Sequence, residues 1–113
     1  MCIIKKTKLT SSKIKQMTVF EYMIHSGLSR DECISRIRNF NRSWNKHLSK
    51  LACMVCRYSS HVELAHIKAI KDFDLMSKIG EINDESNILT LCPTHHWEFD
   101  QGNLSLDDIL QNC

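Results

Sequence analysis

The sequence predicts an α+β protein, in which a helical N-terminal region precedes a short ββα unit held together by metal ligands. Two helix starts of the Ser/Thr-x-x-Glu type stand in the first half, at Thr18 and Ser29. Two short runs rich in apolar and β-branched residues, 61–67 and 87–92, indicate strands, and Pro93 suits the first turn of a following helix. Cysteine and histidine pairs with the spacing of metal ligands flank these runs.

The first half is expected to be helical. A helix from Thr18 ends at Gly27, which tolerates the left-handed conformation, and a longer helix starts at Ser29. Two helices around a glycine leave two interpretations open, a helix-turn-helix and a helical hairpin that carries arginines. Met23 and Arg36 stand where a helix-turn-helix needs a small residue and a core aliphatic, which favours the hairpin.

The net charge of +2 is unevenly distributed. Residues 1–52 carry eleven Lys or Arg and three acids, whereas residues 53–113 carry four Lys or Arg and ten acids. A basic half is typical of a protein that binds a polyanion, although two ordinary solvated faces would look the same. We therefore predict a basic helical region at 1–50 that contacts a polyanion and a second domain at 51–113. The predicted phosphate contacts are Arg36, Arg38, Arg42 and Lys46.

No run approaches the roughly 20 apolar residues that span a bilayer, so no membrane association is expected. The opening residues lack the apolar core of a signal peptide, so we expect an intracellular protein, cytoplasmic or associated with the nucleoid or nucleus, and not secreted. Cys2, Cys33 and Cys113 have no patterned partner; we expect one buried small side chain, Cys33, and two free terminal thiols.

The strongest signal is Cys53-x-x-Cys56 paired with Cys92-x-x-His95. Two such knuckles complete a closed tetrahedral site for structural Zn²⁺. The alternative, disulfides or chance pairs, is uncommon in an intracellular chain. His96 is adjacent, but the two-residue spacing favours His95 as the fourth ligand.

A second group combines His66 on the first strand, Asn87 at the start of the second, and His96 in the final helix. If the strands form a hairpin with the helix across it, these side chains converge beside the zinc site. Hydrolysis of a phosphodiester needs a base, a cation for the leaving oxygen and a group that orients the base. An imidazole, a metal-binding imidazole and an amide suit these tasks.

These segments together resemble the HNH endonuclease family, whose fold is the ββα-metal finger, over about residues 50–108. The resemblance is carried by Cys53-x-x-Cys56, the segments 61–67 (HVELAHI) and 87–93 (NILTLCP), and 95–102 (HHWEFDQG). It implies that His66 is the general base, Asn87 the middle asparagine, and His96 a ligand of catalytic Mg²⁺ or Mn²⁺. It also implies a structural zinc on Cys53, Cys56, Cys92 and His95.

The sequence departs from the family at Ala65, where many members carry an acidic or histidine metal ligand. Asp100, four residues after His96 on the same helix face, is our candidate replacement. Glu63 and His61 rank lower, because strand alternation is expected to turn them away from His66. Trp97 and Phe99 are expected to pack the helix onto the hairpin, although base stacking is an alternative for them.

These observations predict a one-metal DNA endonuclease with a histidine general base. A catalytically inactive zinc-stapled nucleic-acid-binding module is the main alternative, favoured by Ala65. A zinc protein that mediates only protein contacts is a second one, and it predicts no salt-dependent affinity for DNA. A homodimer would supply the two active sites that simultaneous double-strand cutting requires.

Overall fold

The structure is a computed structural model that describes residues 9–111. Two strands lie among six α-helices, as the α+β prediction required. The lysines at 5, 6 and 8 and the expected terminal thiols Cys2 and Cys113 lie outside the described residues. The elements are α1 Ser11–Gln16, α2 Val19–Ser26, α3 Arg30–Trp44, β1 Glu63–His66, α4 Ile79–Ile82, β2 Ile88–Leu91, α5 Pro93–Asp100 and α6 Leu106–Gln111. Three 3₁₀ turns complete them, at Lys46–Lys50, Ile70–Asp72 and Glu85–Asn87.

Both predicted capping boxes start helices. Thr18 Oγ1 accepts from the amide of Glu21 at 3.0 Å, and the Glu21 carboxylate accepts from the amide of Thr18 at 3.1 Å. Ser29 and Glu32 repeat the exchange at the start of α3, with both distances 3.2 Å. Gly27 ends α2 with φ of 71°, as a left-handed cap. Among residues 9–111, no helix combines the length and apolar character that crossing a membrane requires.

A first hydrophobic core, called here the helical core, joins the helices to the long loop between the strands. Ile70, Ile79 and Ile82 of that loop pack with residues of α1–α3. At Gly80 the backbones come so close that an added Cβ would lie 2.8 Å from the carbonyl oxygen of Lys15. The buried members are Ile14, Val19, Tyr22, Cys33, Ile37, Ile70, Ile79 and Ile82. The loop after β1 is therefore part of the helical layer, although it belongs to the second half of the sequence.

The loop between the strands is not helical at 73–78, and α4 begins only at Ile79. The backbone before α4 forms hydrogen bonds with the start of α2. The carbonyl of Leu75 accepts from the amide of Phe20, and the carbonyl of Ser77 accepts from the amide of Val19. These contacts, with a bridge between Thr18 and Lys78, hold residues 75–78 against the start of α2 as a turn.

The strands form the predicted antiparallel hairpin, with Glu63 opposite Leu91 and His66 opposite Ile88. Each has four residues, so the predicted strands 61–67 and 87–92 were too long. All four residues of β2 are buried, because α5 and the segment before β1 pack around it. The second core, called here the hairpin core, consists of Cys53, Ala65, Leu89, Leu91, Cys92 and Ile109.

Candidate metal centre and active-site cleft

The four predicted zinc ligands meet in space. One donor atom from each of Cys53, Cys56, Cys92 and His95 lies within 4.8 Å of all the others. The sulfurs of Cys56 and Cys92 are 3.8 Å apart, and Nδ1 of His95 is 3.2 Å from Cys92 Sγ and 3.6 Å from Cys53 Sγ. Tetrahedral Zn²⁺ with Zn–S bonds of about 2.3 Å implies a sulfur–sulfur distance of about 3.8 Å. The arrangement is compatible with a structural zinc site, and its histidine is His95, as the spacing predicted.

The electrostatics of the cluster favour a bound cation. Burial alone would raise the pKa of the Cys53 thiol, but backbone amides of Cys56, Cys92 and Val55 point to its sulfur and lower the pKa to about 6. Burial raises the pKa of the Cys92 thiol, and the nearby cysteines raise it further. Because two thiolates this close repel one another, a cation between them is needed for both to lose their protons.

A cleft of about 610 Å³ lies beside this cluster, between α3, β1 and α5. His66 and His96 both line it, together with Asp100. From α3, Arg38 and Arg42 line the opposite side. The structure thus brings together five of the predicted site residues. The other two predicted DNA contacts, Arg36 and Lys46, are exposed on the surface outside the described lining of the cleft.

His66 is half-buried, and its ring is held by an amide that the sequence did not identify. Nε2 of His66 lies 2.8 Å from Oδ1 of Asn83, which is buried after α4. Burial lowers the pKa of His66 below its ordinary value, and the charges of Arg38 and His96 lower it further, against the opposing effect of the Asn83 hydrogen bond. A neutral imidazole is therefore the prevailing form at neutral pH, as a general base requires.

Asn87, the expected orienting amide, has a different task. It ends the turn before β2, and its Oδ1 accepts from the amide of Lys68 at 2.9 Å. Its Nδ2 donates to the carbonyls of Ile82 and Lys68 at 2.9 and 3.2 Å. Both ends of the amide thus hold the loop between the strands, and contact with the base comes from Asn83 instead. The expectation that Asn87 orients His66 directly is wrong; Asn87 fixes the loop that carries Asn83.

His96 lies between two carboxylates. Its Nδ1 is 2.7 Å from Oε1 of Glu63, and its Nε2 is 3.4 Å from Oδ2 of Asp100. The hydrogen bond with His96 holds the pKa of Glu63 below its usual range. The placement of Asp100 beside His96 is as predicted. The expectation that strand alternation directs Glu63 away from the site is wrong. Glu63 is the first residue of a strand only four residues long, and its side chain contacts His96 of α5.

A profile of the family described as HNH endonuclease matches residues 53–107. This half of the chain belongs to the HNH endonuclease family. No curated protein and no solved structure gave a significant match. The match begins at Cys53, the first predicted zinc ligand, and it includes His66, Asn87, His96 and Asp100. Membership of this family indicates a nuclease-type function for residues 53–107.

The HNH helix α5 corrects one expectation about packing. Trp97 is 60% exposed and does not join the hairpin core, whereas Phe99 packs against that core as predicted. Because α5 already directs His95, His96 and Phe99 inward, Trp97 lies on the side of the helix that faces solvent.

Sequence reasoning missed Asn83 and ranked Glu63 below Asp100. The only available signal for Glu63 was an acidic residue on the strand of the general base. Nothing local distinguishes Asn83 from Asn87, the other asparagine of the loop, because the role of Asn83 depends on how the loop packs against α3.

Proposed function

We propose that this protein is a metal-dependent DNA endonuclease that hydrolyses phosphodiester bonds with His66 as the general base. One observation carries the proposal: a single cleft is lined by the half-buried imidazole of His66, by the pair His96 and Asp100, and by the guanidinium groups of Arg38 and Arg42. A base, a pair of cation ligands and a pair of anion-binding groups are what cleavage of a phosphodiester requires.

The two arginines give the cleft its affinity for a phosphate. Arg38 and Arg42 are four residues apart on α3 and therefore project from the same face of the helix. Planar guanidinium groups bind phosphate oxygens through paired hydrogen bonds, so they would place a backbone phosphate against His66. Arg36 and Lys46, exposed outside the lining of the cleft, would contact phosphates beyond it and add affinity without reading sequence.

His96 and Asp100 fit a divalent cation. Glu63 accepts the proton of Nδ1, which leaves the Nε2 lone pair of His96 directed towards Oδ2 of Asp100, 3.4 Å away. A nitrogen and a carboxylate oxygen are suitable ligands for Mn²⁺ or Mg²⁺. A bound ion there would stabilise the negative charge that develops on the leaving oxygen.

The chemical task of the chain's own residues is the activation of water. His66 is neutral at neutral pH, because burial and the charge of Arg38 disfavour its protonated form and lower its pKa. It removes a proton from a water molecule placed in line with the scissile phosphate. Arg38 and Arg42 hold that phosphate and neutralise part of its charge in the transition state.

The test is cleavage of supercoiled plasmid by protein that gel filtration has freed of loosely bound ions, with Mg²⁺, Mn²⁺ or no ion added. We expect nicked DNA only with an added ion, and at least a hundredfold slower nicking by His66→Ala that binds DNA equally well. Linear DNA among the earliest products would indicate a homodimer that cuts both strands. Folded, zinc-loaded protein that leaves the plasmid intact with either ion would refute the proposal.

Ala65 favours a second function, an inactive zinc-stapled nucleic-acid-binding module. Ala65 is 1% exposed in the hairpin core and cannot bind the metal, although many HNH domains carry a ligand there. Such a module would bind DNA with a steep salt dependence and leave it uncut. The presence of carboxylates at Glu63 and Asp100 on either side of His96 favours the nuclease.

A further inference from the structure

We propose that Asn83 is a positioning residue of this site, and that it fixes the imidazole of His66 in the tautomer that carries its proton on Nε2. Its catalytic consequence rests on the proposed nuclease function. The tautomer is a property of the folded protein and can be measured without any cleavage.

The orientation of the Asn83 amide is determined by a backbone carbonyl, which can act only as a hydrogen-bond acceptor. Nδ2 of Asn83 lies 2.9 Å from the carbonyl oxygen of Ile37 in α3. A carbonyl oxygen can only accept, so the NH₂ end of the amide must face Ile37. Oδ1 therefore faces His66, at 2.8 Å from Nε2. Since this oxygen also can only accept, Nε2 of His66 must be the protonated nitrogen.

Asn83 is held rigidly enough to impose this choice. It is 4% exposed, and its backbone carbonyl accepts from Nδ2 of Asn45 at 2.8 Å. Asn45 is itself buried and donates to Oδ1 of Asn41 at 2.7 Å. Asn41 belongs to α3 and Asn45 follows it, so the helical half of the chain fixes the ring of a base that lies in the HNH half. The packing of this loop into the helical core therefore also places Asn83 against the ring of His66.

The tautomer decides which atom accepts the proton. With Nε2 protonated and bonded to Asn83, the Nδ1 lone pair of His66 is the basic site left for water. The charged groups that face His66 across the cleft are Arg38 and Arg42 of α3, His61 and Glu63 on the side of β1, and His96 and Asp100 of α5. None of these is the hydrogen-bond partner of Nε2, so loss of Asn83 would leave the tautomers to interconvert and the ring free to turn. A wrong tautomer of a catalytic histidine can cost about 10⁴-fold in rate, and we expect a mixture to cost about 10–100-fold.

The first experiment reads the tautomer by long-range ¹H–¹⁵N NMR of the histidine rings in the full chain, with His66→Ala identifying the signal. We expect a protonated Nε2 and an unprotonated Nδ1 in the wild type, and averaged nitrogen shifts in Asn83→Ala. A protonated Nδ1 in the wild type overturns the proposal, and this holds even if the variant fails to fold. A well-folded Asn83→Ala with the wild-type shifts also overturns it.

The second experiment separates positioning from simple stabilisation by a double-mutant comparison of cleavage rates at saturating DNA. We expect Asn83→Ala to lower kcat about 10–100-fold in the wild type and to have no further effect in His66→Ala. The matched control is Thr90→Val, which also removes a side-chain hydrogen bond to a backbone carbonyl, that of Ala52, in a buried position that pairs with Leu64 and not with His66. Equal losses from Asn83→Ala with and without His66, or an equal loss in Thr90→Val, would show that Asn83 acts only through stability. A wild type that does not cleave refutes the nuclease function, while the NMR result still decides the tautomer.

Discussion

Replacing Cys53 by serine should unfold the HNH half of the chain. Cys53 is fully buried, and its sulfur lies 3.6 Å from Nδ1 of His95 in the zinc cluster. Among the fully buried residues of the hairpin core, the large aliphatic side chains are Leu89, Leu91 and Ile109. Their burial contributes about 5–9 kcal/mol, whereas a structural zinc contributes about 10–16 kcal/mol in small modules. Since a whole domain is stable by about 5–15 kcal/mol, loss of the metal exceeds what this core can compensate.

The assay combines zinc content with amide hydrogen exchange. We expect about one zinc per wild-type chain and less than a tenth of that in Cys53→Ser, with fast exchange throughout β1, β2 and α5. The helical core contains none of the zinc ligands, so α2 and α3 should retain more protection. Cys33→Ser is the matched control, because Cys33 is equally buried but lies in the helical core. A Cys53→Ser protein with wild-type protection in the hairpin, or a Cys33→Ser protein that loses its zinc, would refute this reasoning.

Three further predictions concern the cleft. Arg38→Gln should lower the cleavage rate, and it should also reduce the slope of log affinity against log salt by about 0.9, the value for one phosphate contact. Arg36→Gln should change the slope alone. Equal effects of the two variants on the rate would contradict the placement of Arg38 in the cleft. The lowered pKa of His66 keeps the base unprotonated to lower pH, so the acid limb of the kcat profile should have its midpoint below the ordinary 6.5, and a midpoint above that value would contradict the assignment. Asn87→Ala removes three hydrogen bonds from the loop between the strands and should lower the free energy of unfolding by about 2–4 kcal/mol in urea titrations; an unchanged midpoint would show that the loop does not depend on it.

Features encoded by local chemistry were predictable from the sequence. The capping boxes at Thr18 and Ser29 depend on residues only three positions apart, and both form. The predicted zinc ligands are two such local pairs, and their spacing placed His95, and not His96, in the cluster that the structure shows. Asp100 was predicted beside His96 because helix periodicity fixes neighbours four residues apart.

Features that depend on long-range packing were not predictable. Asn83 contacts His66 because it follows α4, which comes after a turn that is held against the start of α2. The role of Asn87 was misassigned for the same reason, since its partners are backbone groups of that loop. Glu63 was misplaced because strict alternation of side chains is a poor guide at the end of a short, twisted strand. Trp97 was placed in the core on hydrophobicity alone, although an eight-residue helix with three inward side chains has no room for a fourth.

The most direct test of the proposed active site is the rate of phosphodiester cleavage at saturating DNA and Mn²⁺ for the wild type and His66→Ala, each shown to be folded and zinc-loaded. Loss of a general base typically costs about 10²–10⁴-fold, so we expect at least a hundredfold lower rate with unchanged affinity for DNA. Equal rates in the two proteins would contradict the role of His66 and, with it, the assignment of the cleft as the active site.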